Sequence, residues 1–273
     1  MMSVMAGVVD KAVRLLPRTP AAARGMHSRI YARCAPSPCG LGGATLACMH
    51  PLQLVTTMHI VLLGAGGHVA QHVAREALTR GHEVTAVVRD PATFHSYDKR
   101  LAIVQGDATS AASIARAAKG ADAIVSAVSP RPSPSGRAAS SLTAVARAVI
   151  AGAKQAGVKR VVVVGGAGGL EVAPGKRRVD EPDFPAAYKP ESLAQADALA
   201  VYQAEAGGLD WTYIAPADVI GPGERTGKFR TGGDQMLFDA NGRSFITFDD
   251  YAAALVNEVE QPEHLGRRMT VAY

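Results

Sequence analysis

Residues 58–90 read MHIVLLGAGGHVAQHVAREALTRGHEVTAVVRD, and this stretch decides the fold. The apolar run at 60–63 stops at a glycine, as a strand that is buried on both faces does. Residues 69–78 carry apolar side chains at helical spacing, and Gly81 stands where a helix C-cap belongs. A second apolar run follows at 84–88. The segment therefore predicts a strand, a helix and a second strand, which begin a βαβ unit.

The turn between the first strand and the helix has the composition of a dinucleotide-binding loop. Such a site needs a tight turn, a backbone that a pyrophosphate can approach, and a helix N-terminus aimed at the anion. The alternative is an ordinary glycine-rich turn, which the pattern G-x-x-G-x-x-[GA] alone does not exclude. The candidate cofactor-binding residues of this turn are Gly64, Ala65, Gly66, Gly67, His68 and Val69.

Short apolar runs and longer helical segments alternate through the rest of the chain. Further strands are predicted near 101–104, 123–127, 161–164, 211–215 and 269–272, with helices near 110–118, 142–157, 190–206 and 249–259. Such alternation predicts an α/β fold with a doubly wound parallel sheet that forms a single domain over 58–273. Residues 171–190 and 216–235 are rich in Pro, Gly and charge, and we predict long loops there.

The residues that follow each predicted strand are candidates for ligand contact, because ligands of doubly wound sheets bind beyond the carboxyl ends of the strands. Arg89 follows the second strand and suits the 2′-phosphate of NADP; the alternative is a surface arginine paired with Asp90. Asp107 follows the third strand and either accepts from the adenine amino group or closes an Asx turn. Further candidate cofactor-binding residues are Ala108 after the third strand, Ala127 and Val128 after the fourth, Gly165 and Gly166 after the fifth, and Pro216 after the sixth. The two glycines either let the backbone approach a nicotinamide ring or only shape a loop.

The net charge of +5 arises near the N-terminus, because residues 58–273 contain equal numbers of basic and acidic side chains. Bulk electrostatics therefore does not favour a nucleic acid as partner. No apolar run reaches the length of about 18 residues that a membrane helix needs, so we expect no membrane span and a small-molecule substrate.

Residues 1–57 are rich in Arg and Ala and poor in acids, as a transit peptide is. The alternative is an extension of the reading frame upstream of Met58. We predict a disordered extension and a cytoplasmic protein, or an organellar one if the transit peptide is genuine. All three cysteines (Cys34, Cys39 and Cys48) lie in this segment without the spacing of a metal site, so no metal is predicted.

Four of these motifs resemble one known family. The motifs are GAGGHVA after the first strand, VVRDP after the second, GDAT after the third and VVVVGGAGGLEVAPG around the fifth. They resemble the atypical short-chain dehydrogenases/reductases, most of all the NAD(P)H-binding, NmrA-like and flavin-reductase-like members, which include the biliverdin-IXβ-reductase type. The resemblance covers 58–273 and implies a Rossmann-like domain that binds NADP(H), with Gly64, Gly67, Arg89 and Asp107 at matching cofactor positions. It implies no particular substrate, because members range from reductases to cofactor sensors.

The chain departs from the steroid dehydrogenases and epimerases of this group in its proton donor. Those enzymes use a tyrosine with a lysine four residues on, which lowers the pKa of the phenol, and no tyrosine here has that neighbour. The serine that they use after the fifth strand is also missing. The candidate catalytic residues are Tyr188, which could instead be a loop aromatic that packs a lid, and Ser129, which could bond the substrate or the cofactor ribose.

We therefore expect an NADPH-dependent oxidoreductase that transfers hydride to a flavin-like, quinone or other conjugated small-molecule acceptor. One alternative is a non-catalytic, NADP(H)-binding redox sensor of NmrA type. Another is an enzyme like a sugar-nucleotide epimerase or a hydroxysteroid dehydrogenase. The loop at 221–230 carries three cations and is either a lid over an anionic substrate or a solvated surface.

Overall fold

Strand β1 (His59–Leu63) runs through the middle of the central sheet in the computed structural model, which describes residues 56–129 and 141–273. Ile60 and Leu62 pack into a hydrophobic core on one face of the sheet, and Val61 and Leu63 pack into a second core on the other face. Burial on both faces explains why the run is apolar without interruption.

Eight strands form the central sheet. Besides β1 they are β2 (Glu83–Val88), β3 (Ala102–Gln105), β4 (Ala123–Ser126), β5 (Arg160–Val164), β8 (Asp210–Ala215), β10 (Arg230–Gly232) and β12 (Arg267–Ala272). Their order is β10-β12-β8-β5-β4-β1-β2-β3. All of them are parallel except β10, which pairs with β12 in the antiparallel direction. The order reverses between β1 and β4, so the topological switch point lies between these two strands.

Five helices cover the sheet in the described part of the chain: α1 (His68–Thr79), α2 (Ala111–Ala117), α3 (Leu142–Ala156), α4 (Lys189–Glu205) and α5 (Phe248–Glu260). Helices α1 and α5 pack together on one face, and α2, α3 and α4 pack on the other. This is a doubly wound, Rossmann-like arrangement, and the predicted fold class is confirmed. None of these helices combines the length and the apolar character that a membrane crossing requires.

The segments predicted as long loops contain short elements that the sequence did not indicate. Strands β6 (Glu171–Ala173) and β7 (Lys176–Arg177) form an antiparallel hairpin, and β9 (Val219–Gly221) pairs in parallel with β11 (Phe245–Thr247). Single 3₁₀ turns follow β5, follow β7 and precede α4. Elements of two or three residues contain too few side chains to show a period, so periodicity could not predict them.

The compact unit Thr57–Tyr273 begins just before β1. The predicted extension over residues 1–57, with its three cysteines, lies almost entirely outside the described residues. Met58 takes part in the fold through its backbone: its N–H donates to Nδ1 of His82 over 3.2 Å, and its carbonyl oxygen accepts from the N–H of Glu83 over 2.9 Å.

We expect a chain that begins at Met58 to fold with the melting temperature of the full chain, because both of these bonds and all of β1 are kept. A chain that begins at Leu62 would lose Ile60 from one core and Val61 from the other, so it should not fold cooperatively. Thermal melts followed by circular dichroism compare the three chains. An insoluble or non-cooperative protein from the Met58 start would show that the domain boundary is wrong.

Candidate functional site

A close approach of two backbones shapes the turn after β1. Gly64 has a φ of +79°, in the left-handed region that favours glycine. A Cβ at this position would lie 2.5 Å from the carbonyl oxygen of Ala127, the first residue after β4. Ala127 in turn donates its N–H to the carbonyl oxygen of Leu63 over 3.0 Å. Glycine at this position therefore lets the loops at the ends of β1 and β4 meet at the switch point.

The other residues of the turn leave its outer side open. The N–H of Gly67 donates to the carbonyl oxygen of Gly64 over 2.9 Å and closes the turn. Gly66 is exposed, and no atom lies within 4 Å of the place where its Cβ would stand. Ala65, by contrast, is buried in the core beneath the turn, so it presents backbone rather than a side chain to the surface.

Helix α1 begins at this turn without a capping side chain. The side chains of Ser110, Ser141 and Thr247 cap α2, α3 and α5 by accepting a backbone N–H. The N-cap residue of α1 is Gly67, and the first turn contains no acidic residue. Its free N–H groups and the positive end of the helix dipole therefore face the open space beside Gly66, an arrangement that fits an anion such as a pyrophosphate.

An aromatic cluster stands beside this turn. His68, the first residue of α1, has its ring 4.9 Å from that of Phe248 and 5.7 Å from that of His72. Nδ1 of His72 lies 2.6 Å from an oxygen of Asp249. Sequence reasoning found His68 but missed its partners on α5, because a contact across about 180 residues leaves no local pattern. Among the described residues, no three His, Cys, Asp or Glu side chains come together as a metal site would require.

Arg89 and Asp107 lie at the ends of neighbouring strands β2 and β3. Arg89 is exposed and forms no ion pair within 56–129 and 141–273, since Asp90 instead accepts from the N–H of Ala92 over 3.0 Å. Asp107 closes an Asx turn: one carboxylate oxygen accepts from the N–H and the hydroxyl of Thr109, over 2.9 and 2.8 Å. These hydrogen bonds, with a smaller contribution from the charge of Arg89, hold the pKa of Asp107 below its ordinary value. A carboxylate and a guanidinium therefore stand side by side at this edge of the sheet.

Packing accounts for the glycines that follow β5. A Cβ on Gly165 would lie 2.3 Å from the ring of Tyr213, and one on Gly166 would lie 3.2 Å from Cγ of Gln195. Tyr213 belongs to β8 and Gln195 to α4, so the missing side chains make room for two neighbouring elements. Packing against these two elements therefore requires residues without a side chain here, and it leaves the alternative of a backbone that approaches a nicotinamide open.

A family model described as NAD(P)H-binding matches residues 64–262, which run from the glycine turn to the end of α5 and beyond. The chain belongs to the NAD(P)H-binding family. The match begins at Gly64 and includes every strand end described above. The resemblance of the sequence motifs to NAD(P)H-binding proteins is confirmed.

Three other proteins are similar to most of this chain. YwnB of Bacillus subtilis is 37% identical over 217 residues, which are 78% of this chain and 98% of YwnB. The crystal structure of a candidate exported protein from Burkholderia pseudomallei is 45% identical, with a TM-score of 0.70 over 80% of this chain and 100% of that chain. A candidate NADH-flavin reductase from Streptococcus pneumoniae is 30% identical, with a TM-score of 0.65 over 79% of this chain and 99% of that chain. The similarity covers 78–80% of this chain in each of the three, and one of them is named a candidate NADH-flavin reductase.

The two candidate catalytic residues lie on different segments. Tyr188 is 57% exposed at the N-terminus of α4, with Ser192 rather than a lysine four residues on. Ser129 follows Val128 after β4 and is half-buried. Burial raises the pKa of other tyrosines, that of Tyr97 to about 12 and that of Tyr202 further. A phenol with a raised pKa is a weak acid, so these buried tyrosines do not replace the missing tyrosine–lysine pair.

Two arginines tie the loops above the strand ends to each other. Arg178 donates Nε to both carboxylate oxygens of Asp218 over 3.0 Å, and so joins the segment after β7 to the segment after β8. Arg268 of β12 bonds the carboxylate of Asp234 and the carbonyl oxygen of Gly169, over 2.7 and 2.8 Å. The segments predicted as loops are thus held to each other and to β12 by hydrogen bonds and ion pairs.

The cationic loop at 221–230 is also held in place. Arg225 pairs with Glu76 of α1 over 2.6 Å, and the fully buried Asp250 accepts from the N–H groups of Thr226 and Gly227 over 2.9 and 2.7 Å. Because these bonds fix the loop against α1 and α5, it forms a fixed part of the protein surface. These contacts favour the surface alternative over a lid.

Two glycines of the turn should separate ligand binding from folding. Gly66→Leu adds a side chain where no atom lies within 4 Å, so we expect an unchanged melting temperature. The same side chain fills the space beside the free helix N–H groups, so the affinity for NADPH should fall at least about tenfold. Gly64→Ala should instead lower the melting temperature, because its Cβ would meet the carbonyl oxygen of Ala127.

Gly207→Leu is the matched control, because Gly207 is exposed after α4 with no atom within 4 Å of its Cβ position. Calorimetry for binding and thermal melts for stability are measured on all three variants. Full NADPH affinity in Gly66→Leu would rule out this turn as the pyrophosphate site.

Proposed function

We propose that the protein is an NADPH-dependent reductase that transfers hydride to a flavin-like, quinone or other conjugated acceptor. The observation that carries the proposal is the combination of an open dinucleotide turn with strand ends that lack a tyrosine–lysine proton donor. The first feature supports a nicotinamide cofactor, and the second limits which acceptors that cofactor can reduce.

Different groups of described residues suit the successive chemical groups of the cofactor. The free N–H groups of the turn and of α1 would hold the pyrophosphate, with His68 at their side. Arg89 offers a planar set of donors for a 2′-phosphate, and because it forms no ion pair with another described residue, that set is available. Further contacts are proposed for Asp107 and Ala108 with adenine, Ala127 and Val128 with ribose, and Gly165, Gly166 and Pro216 around the nicotinamide. When bound, NADPH supplies the hydride.

The missing proton donor selects the type of acceptor. Reduction of a simple ketone produces an alkoxide, and a positioned acid that protonates it usually contributes about 10²–10⁴-fold. A flavin or a quinone spreads the incoming charge over its ring system, so water can supply the proton afterwards. The chain then has only to hold the acceptor against the nicotinamide, and orientation provides most of the rate.

Cofactor choice is tested at Arg89. We expect the unmodified protein to bind NADPH more tightly than NADH, and Arg89→Asp to weaken NADPH at least about tenfold while NADH affinity is retained. Lys119→Asp makes the same charge change on an exposed turn before β4, at the opposite end of the sheet, and should leave both affinities unaltered. Equal affinities of the unmodified protein for the two cofactors would contradict the assignment.

Acceptor choice is tested by NADPH oxidation with flavins, quinones, ketones and steroid alcohols as a panel. We expect flavin or quinone reduction to be fastest, and Tyr188→Phe to keep most of that rate, because no phenol proton is needed. If Tyr188→Phe removes the activity while NADPH still binds, a tyrosine acid is present and the proposed chemistry is wrong. Tight NADPH binding without oxidation by any acceptor would favour the sensor alternative.

A further inference from the structure

Gln195 is a polar side chain placed inside the fold next to the end of β5. It is 8% exposed, so more than nine-tenths of it is buried. Its stem lies against Gly166, whose Cβ would stand 3.2 Å from Cγ of Gln195. Helix α4 therefore presses this carboxamide against the carboxyl end of a central strand.

One end of the carboxamide is fixed by Tyr213. The hydroxyl of Tyr213 is hydrogen-bonded to the backbone carbonyl of Gln195, over 2.9 Å, and to its side-chain oxygen Oε1. Burial raises the pKa of Tyr213 well above its ordinary value, so the hydroxyl keeps its single proton, which the two oxygens of Gln195 share. Because Oε1 faces Tyr213, the amide nitrogen Nε2 points away from it.

The other end of the carboxamide has no protein partner. Within the part of the chain that the structure describes, Nε2 of Gln195 makes no hydrogen bond. Gln195 lines a narrow crevice together with Ser126 and Val128 at the end of β4 and Val164 at the end of β5. The remaining walls of the crevice are aliphatic except for Tyr202, and Nε2 of Gln195 makes no hydrogen bond to that tyrosine. This nitrogen is not among the fully enclosed atoms that lack a partner, so a ligand or water in the crevice can reach it and accept its hydrogen bond.

The position of this donor indicates which part of a ligand it would meet. The anion-binding turn follows β1, and Gln195 lies at β5, which is two strands away in the order β1-β4-β5. Two strand spacings are about 10 Å, which is the reach of a nucleoside attached to a pyrophosphate. The nicotinamide nucleoside carries oxygen acceptors on its carboxamide and on its ribose.

We infer that Nε2 of Gln195 donates a hydrogen bond to an oxygen of the nicotinamide nucleoside half of the bound cofactor. The inference rests on the cofactor binding proposed above. Tyr213 acts as a positioning residue, because it holds the opposite end of the carboxamide and so fixes the direction of the donor.

The test compares the whole cofactor with its adenine half. Gln195→Met keeps the approximate volume and removes the donor, so we expect a loss of about three- to tenfold in NADPH affinity. The affinity for 2′,5′-ADP, which lacks the nicotinamide nucleoside, should not change. Gln203→Met on the exposed side of α4 is the matched control and should leave both affinities unaltered. If Gln195→Met does not fold, Gln195→Glu keeps an oxygen for Tyr213 and lacks the donor once its carboxyl group is ionised, so both affinities are measured from pH 7 to pH 10.

Three results would overturn the inference. Equal losses for NADPH and 2′,5′-ADP would show that Gln195 supports the fold rather than the nicotinamide half. Unchanged affinities for both ligands would show that the carboxamide serves Tyr213 alone. A raised acceptor KM at saturating NADPH, without loss of NADPH affinity, would assign the donor to the acceptor instead. If the unmodified protein binds neither NADPH nor 2′,5′-ADP, the proposed function itself fails, which is a separate outcome.

Discussion

The contact between the backbone of Gly64 and the carbonyl oxygen of Ala127 is the constraint on which the rest of the site depends. It occurs where β1 and β4 lie side by side, and it requires a residue without Cβ in a left-handed conformation. Because the chain turns there, α1 begins at the carboxyl end of β1, and the N-terminus of the helix faces the open space beside Gly66. The bare N–H groups, the open space beside Gly66 and the cluster around His68 all follow from that turn.

Many polar groups of the fold bond to other parts of the protein, but some groups near this turn have no protein partner. Three helices are capped by serine or threonine side chains, and the buried Asp250 holds a loop by accepting from its backbone. The exceptions in the described residues include the first turn of α1, the guanidinium of Arg89 and Nε2 of Gln195. All three lie at the carboxyl ends of strands, where a doubly wound sheet binds its ligands. In the proposed complex, the pyrophosphate would lie at the first turn of α1, the 2′-phosphate at Arg89 and the nicotinamide nucleoside at Gln195.

The sequence predicted those parts of the structure whose cause is local. A strand buried on both faces must be apolar throughout, and a helix with one buried face must show its period, so β1, α1 and the other long elements could be predicted. The glycine turn could be predicted because its neighbours in the chain identify it. The pairing of Gln195 with Tyr213 could not, because the two residues meet only when α4 packs across β5 and β8. The contact of Phe248 with His68 and the bond of Arg178 to Asp218 depend in the same way on tertiary packing, and β6 and β9 are too short to have a period.

The packing around Tyr213 also bears on the missing catalytic serine and tyrosine. A single substitution would not restore the serine, because the neighbouring side chains occupy its place. A serine at Gly165 would place its Cβ 2.3 Å from the ring of Tyr213, so it could be accommodated only if Tyr213 moved. Tyr213 is held by its hydrogen bonds to Gln195 and is almost fully buried, so such a movement would disturb α4 as well. The space after β5 is therefore filled by a tyrosine that keeps its proton and by the glutamine to which that tyrosine is hydrogen-bonded. Among the described residues, this surface offers no tyrosine–lysine pair to protonate an alkoxide, and that absence supports the proposal of acceptors that take their proton from water.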